Sequence, residues 1–313
     1  MKILVLGTGA QGTTVAKRLD EEPGVSSIIC ADYNTEAVNE LTGILTKAKG
    51  MKCDAYNVDE IINCAQGVDL IVNALPLEFG KNVLDAALAV KANYQDFSST
   101  TAFDEDVNIG WIRGMKYQFE VYSPKFEEIG RLAIIGTGSA PGVICCATRD
   151  AMKYLDTCDT IYNFVWEGVK ANRFQPFWWS PETAIQDMSE PAYTYENGEL
   201  FVRPPFEDPV KRKYDYMDHE VTFLNHCHDE PVQYALNADK YFKGCKNAYF
   251  KYAGTGMDFA EPLYRAGLFD HEEREIKSRK VVPFDVIVES IPKPPKFEEE
   301  IREIIEEGME ADD

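Results

Sequence analysis

Lys2-Ile3-Leu4-Val5-Leu6-Gly7-Thr8-Gly9-Ala10-Gln11-Gly12 is the stretch that decides the fold. An apolar run typical of a strand leads into a glycine-rich turn. Apolar residues at helical spacing follow at Val15, Ala16 and Leu19. Strand, glycine turn and helix in this order predict the first βα unit of a dinucleotide-binding domain.

Each glycine has its own role in such a turn. Gly7 lets the chain reverse tightly, Gly9 leaves room for a diphosphate against the backbone, and Gly12 lets the helix lie close to the strand. The N–H groups of the first helical turn, at Ala10 and Gln11, would face the anion. The alternative is a glycine turn of an α/β protein that binds nothing.

Asp32 ends a second predicted strand, residues 27–31. At this position a carboxylate accepts hydrogen bonds from the two hydroxyls of an adenosine ribose. It would repel a 2′-phosphate, and the following Tyr33 and Asn34 provide no arginine to hold one. The sequence therefore favours NAD over NADP.

Composition limits the classes of partner. The chain has 313 residues, of which 45% are hydrophobic, so that two domains with sizeable cores fit. Its 53 acidic and 32 basic residues give a net charge of −21, which argues against nucleic acid and anionic membranes as partners. We expect no membrane span and no signal peptide. Eight cysteines without a CxxC pair indicate reduced thiols in a cytoplasmic protein.

Strand and helix patterns continue to alternate after Asp32. The predicted helices are 35–47, 58–65, 81–90 and 117–129, and the predicted strands are 51–54, 69–74, 93–97 and 132–135. Together with the first two strands they predict a Rossmann-type, doubly wound parallel sheet over residues 1–136.

Several candidate site residues follow strands of this sheet. Ligands of open α/β sheets bind at the carboxyl ends of the strands. Asp54, Asn73 and Pro76 are therefore predicted to contact the nucleotide, in addition to the glycine turn and Asp32. Asp96 and Ser98 follow the fifth strand and are predicted to serve as a base or polar anchor near the nicotinamide. The alternative for Asp96 is a cap or turn residue.

The pattern changes after residue 136. Predicted strands at 161–169, 199–202, 219–223 and 248–252 and helices at 143–154, 183–189 and 256–266 indicate an α+β substrate or dimerisation domain over residues 137–292. Residues 293–313 form an acidic tail with a predicted amphipathic helix at 297–309.

Motifs from both regions carry a resemblance to a known family. They are Gly7-Thr8-Gly9-Ala10-Gln11-Gly12, Val72-Asn73-Ala74-Leu75-Pro76, Tyr94-Gln95-Asp96-Phe97-Ser98-Ser99, Ala140-Pro141-Gly142-Val143, Trp179-Ser180-Pro181-Glu182-Thr183, His219-Glu220-Val221-Thr222 and Val282-Pro283-Phe284-Asp285. The whole chain resembles the saccharopine dehydrogenase-like family, which includes saccharopine reductases, lysine 6-dehydrogenases and carboxynorspermidine dehydrogenases. Members of that family normally continue beyond the position of Asp313, so that the chain is either a fragment or lacks a C-terminal return segment.

The resemblance implies hydride transfer between a nicotinamide nucleotide and a carbon bonded to nitrogen. It implies a lysine- or saccharopine-type substrate, with a carboxynorspermidine-type reductive coupling as an alternative, and a homodimer. A non-catalytic nucleotide-binding regulatory protein is the alternative from another class.

His219 and Glu220 are candidates for handling protons, and Gly138 and Gly142 for holding a substrate carboxylate, against the alternative of a tight turn. Phe177, Trp178 and Trp179 line either a substrate pocket or simply the core.

Three of the four histidines lie close together, at His219, His226 and His228. On an extended strand, His226 and His228 would point to the same face and could hold zinc together with His219 or Glu220. No fourth ligand is evident, and the family resemblance brings no metal. We therefore expect no metal site, and a pair of surface histidines beside Asp229 and Glu230.

Overall fold

The computed structural model of the chain describes residues 1–98, 115–171, 173–217, 219–306 and 310–311. Its contacts divide the chain into two compact units, Met1–Cys146 and Ala147–Asp313. The domain boundaries expected from the sequence, after residues 136 and 292, stay predictions. In the described ranges, no helix has the length and apolarity that crossing a membrane requires.

The first unit is built around a six-stranded sheet. Its elements are β1 (Lys2–Leu6), α1 (Ala10–Glu21), β2 (Ser27–Asp32), α2 (Thr35–Ile44), β3 (Ala48–Lys52), α3 (Val58–Cys64), β4 (Leu70–Asn73), a 3₁₀ turn (Leu77–Phe79), α4 (Gly80–Val90), β5 (Asn93–Asp96), a π-helical turn (Gln118–Tyr122), α5 (Ser123–Glu128), β6 (Ala133–Ile134) and α6 (Val143–Ala151). The strand order is β3-β2-β1-β4-β5-β6 and every pairing is parallel. The predicted doubly wound sheet is confirmed.

The alternation of side chains along β1 explains why this sheet is covered on both faces. Leu4 and Leu6 enter one buried cluster, and Ile3 and Val5 enter another on the opposite side. The strand order reverses between β1 and β4, which is the point where ligands bind in folds of this kind. The carboxyl ends of these two strands therefore position the candidate site.

The predicted limits of two elements were wrong. The helix expected to reach residue 47 ends at Ile44, because Leu45 is extended and Ala48–Lys52 pairs in register with β2. The strand therefore begins three residues earlier than predicted. It is an edge strand with only partial burial, so its apolar pattern is weak.

The second unit joins a mixed sheet to several helices. Its elements are a 3₁₀ turn (Met152–Tyr154), β7 (Thr160–Glu167), β8 (Val169–Lys170), α7 (Pro181–Ser189), β9 (Ala192–Glu196), β10 (Glu199–Arg203), β11 (Val210–Arg212), β12 (Val221–Asn225), α8 (Glu230–Tyr241), β13 (Asn247–Gly254), α9 (Thr255–Arg265), β14 (Arg274–Ile276), β15 (Arg279–Val281), α10 (Pro283–Ser290), α11 (Glu298–Glu306) and β16 (Glu310–Ala311). The main sheet runs β10-β9-β13-β12-β11, and β7 pairs in parallel with β13. The predicted α+β class of this region is confirmed.

The second unit has elements that were not predicted, among them β9, β11, β14, β15 and α10, and the region around His226 also differs from the prediction. The strand expected at 219–223 begins at Val221 and ends at Asn225, so that His219 and Glu220 precede it and His226 follows it. Residues 230–241 form α8, which packs against β9 and β13 and was not predicted. Pro231, within the first turn, is a sequence signal for the start of this helix.

Candidate functional site

Two of the three glycines in the opening turn are required by the protein's own atoms. Gly7 has a φ of +93°, and a Cβ there would lie 2.7 Å from the carbonyl oxygen of Ala74. A Cβ on Gly12 would lie 1.9 Å from the carbonyl oxygen of Gly7. A side chain at either position would therefore displace backbone atoms, so that only glycine fits at residues 7 and 12.

Gly9 differs from its two neighbours. Its φ of −73° suits any residue, and a Cβ would meet no atom of the protein within 4 Å. Gly9 is also the N-cap of α1, and no side chain caps that helix. Ala10 and Gln11 form the first turn of α1 next to this open space, and N–H groups of a first turn have no partner within the helix and carry the positive end of its dipole. The turn thus provides a cradle for an anion such as a diphosphate.

The carboxylate of Asp32 is bonded to the glycine turn. Its Oδ2 accepts a hydrogen bond from the backbone N–H of Thr8 at 2.7 Å and one from the Thr8 hydroxyl at 3.1 Å. Its Oδ1 accepts one from the N–H of Asn34 at 3.0 Å. An ionised carboxylate has about four acceptor positions, so capacity remains for ribose hydroxyls. Asp32 therefore lies at the end of β2 as predicted and also holds the turn in place.

A buried hydrogen-bond network joins the carboxyl ends of β4 and β5. The Asn73 amide donates to the Tyr94 hydroxyl at 3.1 Å, and that hydroxyl donates to Oδ2 of Asp96 at 2.7 Å. Oδ1 of Asp96 accepts from the backbone N–H of Gly136 at 2.7 Å. Burial, with Asp96 beside it, raises the pKa of Tyr94 well above its ordinary value, so that the phenol keeps its proton. The network fixes three chain segments at the rim of the sheet.

The other candidates of the first unit lie around this rim. Pro76 is exposed and lies three residues after the end of β4, whereas Asn73 is buried and accepts from the N–H of Leu75. Asp54 is exposed after β3 and accepts from the N–H of Tyr56 at 3.0 Å. Ser98 is partly exposed two residues after Asp96. Ser99 and Thr100 lie outside the described residues. The roles assigned to these residues stay predictions.

The turn at residues 136–142 is tightly packed on itself. Gly142 has a φ of +130°, and a Cβ there would lie 2.2 Å from the carbonyl oxygen of Gly138. The N–H groups of Val143 and Ile144 donate to the carbonyls of Gly138 and Ser139. The geometry accounts for these residues as a tight turn that starts α6.

The candidates of the second unit do not converge on a catalytic arrangement. Glu220 is exposed and pairs with exposed Lys211 at 3.3 Å, and His219 is exposed with its ring 6.1 Å from that of Trp166. Phe177 is fully buried, whereas Trp178 and Trp179 are partly exposed. Phe177 is thus a core residue, and the part played by His219 and Glu220 stays a prediction.

The expectation of surface histidines was wrong. His226 is only 3% exposed and its ring lies 5.0 Å from that of Tyr252. His228 stacks on Phe250 at 4.0 Å, and its Nδ1 lies 2.5 Å from Oε2 of Glu230, which is fully buried. The strand ends at Asn225, so the extended strand on which the zinc alternative for His226 and His228 was based does not reach these residues. In the described residues, no group of three or more histidine, cysteine or acidic side chains is arranged to hold a metal ion.

Comparison with known proteins agrees with the geometry of the first unit. Residues 3–120 match the family described as saccharopine dehydrogenase NADP binding domain. This region of the chain belongs to that family. The resemblance of the chain to the saccharopine dehydrogenase-like proteins is thereby confirmed, and a pyridine nucleotide is the cofactor that the domain binds. The fit is visible in the open cradle at Gly9, since any side chain there would fill it.

Curated relatives extend the similarity beyond the nucleotide domain. Carboxyaminopropylagmatine dehydrogenase of Synechocystis sp. is 24% identical over 95% of this chain and 74% of its own length. Carboxynorspermidine synthase of Vibrio alginolyticus is 26% identical over 64% of this chain, which spans about half, 51%, of that relative. The chain is thus similar, beyond the nucleotide domain, to enzymes of the saccharopine dehydrogenase-like type.

A solved structure supports the fold of the saccharopine dehydrogenase-like chain. Apo saccharopine dehydrogenase (L-Glu forming) from Saccharomyces cerevisiae aligns with a TM-score of 0.63 over 98% of this chain and 71% of that one. The sequence identity is 13%, so this likeness concerns the fold alone.

Proposed function

We propose that this protein transfers hydride between a nicotinamide nucleotide and a carbon bonded to nitrogen in a carboxyalkylated polyamine. The open anion cradle at Gly9, at the N-terminus of α1, carries the proposal. Two relatives are named for carboxylated polyamine products, which favours this substrate class over the lysine- or saccharopine-type substrate expected first from the sequence.

The reaction class defines the groups that the site must supply. In the oxidative direction, the C–H bond beside nitrogen gives its hydride to the nucleotide, the amine gives up a proton, and a C=N bond forms. The reductive direction first condenses an amine with an aldehyde, which releases water, and then reduces the resulting C=N bond. Either direction needs a group that handles a proton within hydrogen-bond reach of the nitrogen. Asp96, Ser98, His219 and Glu220 are the proposed candidates.

We infer NAD as the preferred nucleotide, although the matched family is described by its NADP binding. The Asp32 carboxylate lies beside the turn at the end of β2, where it would repel a 2′-phosphate. The next two residues carry no positive charge that could hold a 2′-phosphate. Tyr33 is 75% exposed, and Asn34 caps α2 by accepting from the N–H groups of Glu36 and Ala37.

We also propose a homodimer in the cytoplasm. Tyr162 on β7 is 44% exposed and stacks with Phe164 at 5.4 Å and with Tyr249 at 4.8 Å. An exposed aromatic sheet face of this kind is suited to burial against a second copy. The free cysteines fit a reducing compartment.

Fluorescence titration of the intact protein with NADH and NADPH tests the first step of the proposal. Turnover is then measured with carboxyaminopropylagmatine and carboxynorspermidine, and with saccharopine and lysine for comparison. Oxidation of a carboxylated polyamine would support the proposal, and faster oxidation of saccharopine would contradict the substrate class. Nucleotide binding without turnover of any of the four would favour the non-catalytic regulatory protein.

A further inference from the structure

A group of ionisable side chains that the sequence did not predict as a cluster lies in the second unit. It is formed by the end of α7, the segment after β12 and the start of α8. We name it the acidic–histidine cluster, and its members are Asp187, Glu190, His226, His228, Asp229 and Glu230.

Glu230 has an unusual position in the acidic–histidine cluster. It is fully buried, and its Oε2 pairs with Nδ1 of His228 at 2.5 Å. Its Oε1 is also buried and has no hydrogen-bond partner among the described residues. A buried carboxylate oxygen without a donor costs free energy, so the site is complete only when a donor reaches it.

His226 adds a second acceptor beside His228. Its ring centroid lies 5.7 Å from that of His228, and its Nδ1 has no hydrogen-bond partner in the described part of the chain. Burial and the neighbouring His228 hold the pKa of His226 well below its ordinary value, so that the imidazole is neutral. A neutral imidazole protonated on Nε2 offers Nδ1 as an acceptor.

The acidic–histidine cluster contains more negative than positive charge. Burial, together with the neighbouring Glu190, Asp229 and Glu230, raises the pKa of Asp187 to about 8, and His228 opposes this rise. Burial alone would lower the pKa of His228, but Glu230 outweighs it and the pKa lies at about 9. One imidazolium thus faces several carboxyl groups, and burial with these acidic neighbours keeps the proton on Asp187.

We propose that the acidic–histidine cluster binds an ammonium group of an aliphatic diamine or polyamine. An ammonium has three donors, which match Oε1 of Glu230, Nδ1 of His226 and the carboxyl of Asp187. The inference rests on the proposed function, because it takes the class of ligand from the proposed polyamine substrate. A divalent metal is a poorer match, since the described residues present no such ligand group.

Binding of the ammonium group would also release a proton from Asp187. With a positive charge beside it, Asp187 would ionise at neutral pH, so that binding releases up to about one proton. Affinity for the amine should therefore rise with pH towards about 8, where the free carboxyl ionises unaided. A buried water in the same place would leave Asp187 protonated.

The test is calorimetric titration of the intact protein with 1,4-diaminobutane, at one pH in buffers of different ionisation enthalpy. We expect binding with proton release, weakened at least about tenfold by Glu230→Gln. Exposed Glu289 on α10 provides the matched control Glu289→Gln, which should change neither quantity. Asp187→Asn is a second variant, which keeps the test available if Glu230→Gln does not fold. We expect it to abolish proton release.

Three outcomes would overturn the inference. The first is that the native protein binds no diamine, which leaves an internal water as the occupant. The second is that Glu230→Gln binds the diamine with unchanged affinity. The third is that Asp187→Asn still releases the same proton on binding. NADH binding is measured on each variant and should stay within about twofold of the native value. Loss of NADH binding by the native protein would defeat the proposed function, whereas the diamine titration decides the cluster separately.

Discussion

The carboxylate of Asp32 accepts a hydrogen bond from the backbone N–H of Thr8 at 2.7 Å. The residue that sets the nucleotide preference therefore also holds the turn that binds the diphosphate. Replacing Asp32 by glycine would change both properties at once. Replacement by asparagine removes the charge but keeps a carbonyl oxygen that can accept from Thr8.

This relationship leads to a prediction on NADP preference. The pair Asp32→Asn with Tyr33→Arg should raise the ratio of NADPH to NADH affinity, because a repelling charge is removed and a cation is introduced at an exposed position. The pair Asp32→Asn with Asn34→Arg should also lose about 1 kcal/mol of stability, since Asn34 caps α2. Fluorescence titration and urea unfolding measure the two effects. An unchanged affinity ratio in both pairs would refute the ribose role of Asp32.

Gly9→Ala should separate folding from nucleotide binding. The new methyl group meets no protein atom within 4 Å, so the free energy of unfolding should not fall. It would occupy the space of the diphosphate, and NADH affinity should drop by more than about tenfold. Gly43→Ala is the matched control, because its Cβ also meets nothing within 4 Å and the residue lies in α2. Unchanged NADH affinity in Gly9→Ala would mean that the diphosphate binds elsewhere.

Asp96→Ala should destabilise the first unit. The change leaves the N–H of Gly136 and the hydroxyl of Tyr94 without their acceptor in a buried place, which costs about 2–4 kcal/mol. Tyr94→Phe removes the bond to Asp96 and also leaves the buried Asn73 amide without its acceptor, so we expect a cost of similar size. Chemical unfolding gives both values. Turnover of Asp96→Asn then tests the predicted catalytic role, since a normally stable but inactive variant would support Asp96 as a base.

The stability of the second unit should fall as pH rises from about 6.5 to 8. His228 has a folded-state pKa of about 9 against an ordinary value of 6.5, so its stabilising contribution is complete below 6.5 and is lost as pH rises through 9. Asp187 keeps its proton in the folded state up to about 8, whereas the unfolded chain has already lost it, and this also lowers stability with rising pH.

Urea unfolding at several pH values checks this dependence. Asp187→Asn should reduce the slope of stability against pH, because it removes one of the two groups whose proton is bound only in the folded state. Glu289→Gln, on the same unit, should leave the slope unchanged. A native protein whose stability is constant or rises between pH 6.5 and 8 would contradict the assigned protonation states.

Tyr162→Glu should reduce self-association. A charge on the exposed aromatic face would have to be buried in a dimer that uses this face, and burying an unpaired charge is costly. Light scattering with size-exclusion chromatography measures the mass. Tyr154→Glu, at an 81% exposed residue outside the sheet, is the control. A native monomer, or a variant that remains dimeric, would contradict the proposed interface.

The first unit was predictable because its information is local. The strand, glycine turn and helix at Lys2–Glu21 follow one another along the chain, and Gly7 and Gly12 are fixed by contacts within that short segment and with Ala74. The second unit was less predictable around His226. There, the predicted alternation extends beyond Asn225, whereas the strand stops at that residue and a new helix begins five residues later.

The sequence by itself determined the doubly wound sheet, the anion-binding turn and the position of Asp32, because strand and helix periodicity and the steric needs of glycine act over a few residues. Only the tertiary structure decided which polar groups are buried together. The Asp96 network joins residues 73, 94, 96 and 136, and the acidic–histidine cluster joins α7 to α8. Hydrogen-bond partners and desolvation depend on packing between segments distant in the chain, and periodicity carries no information about either.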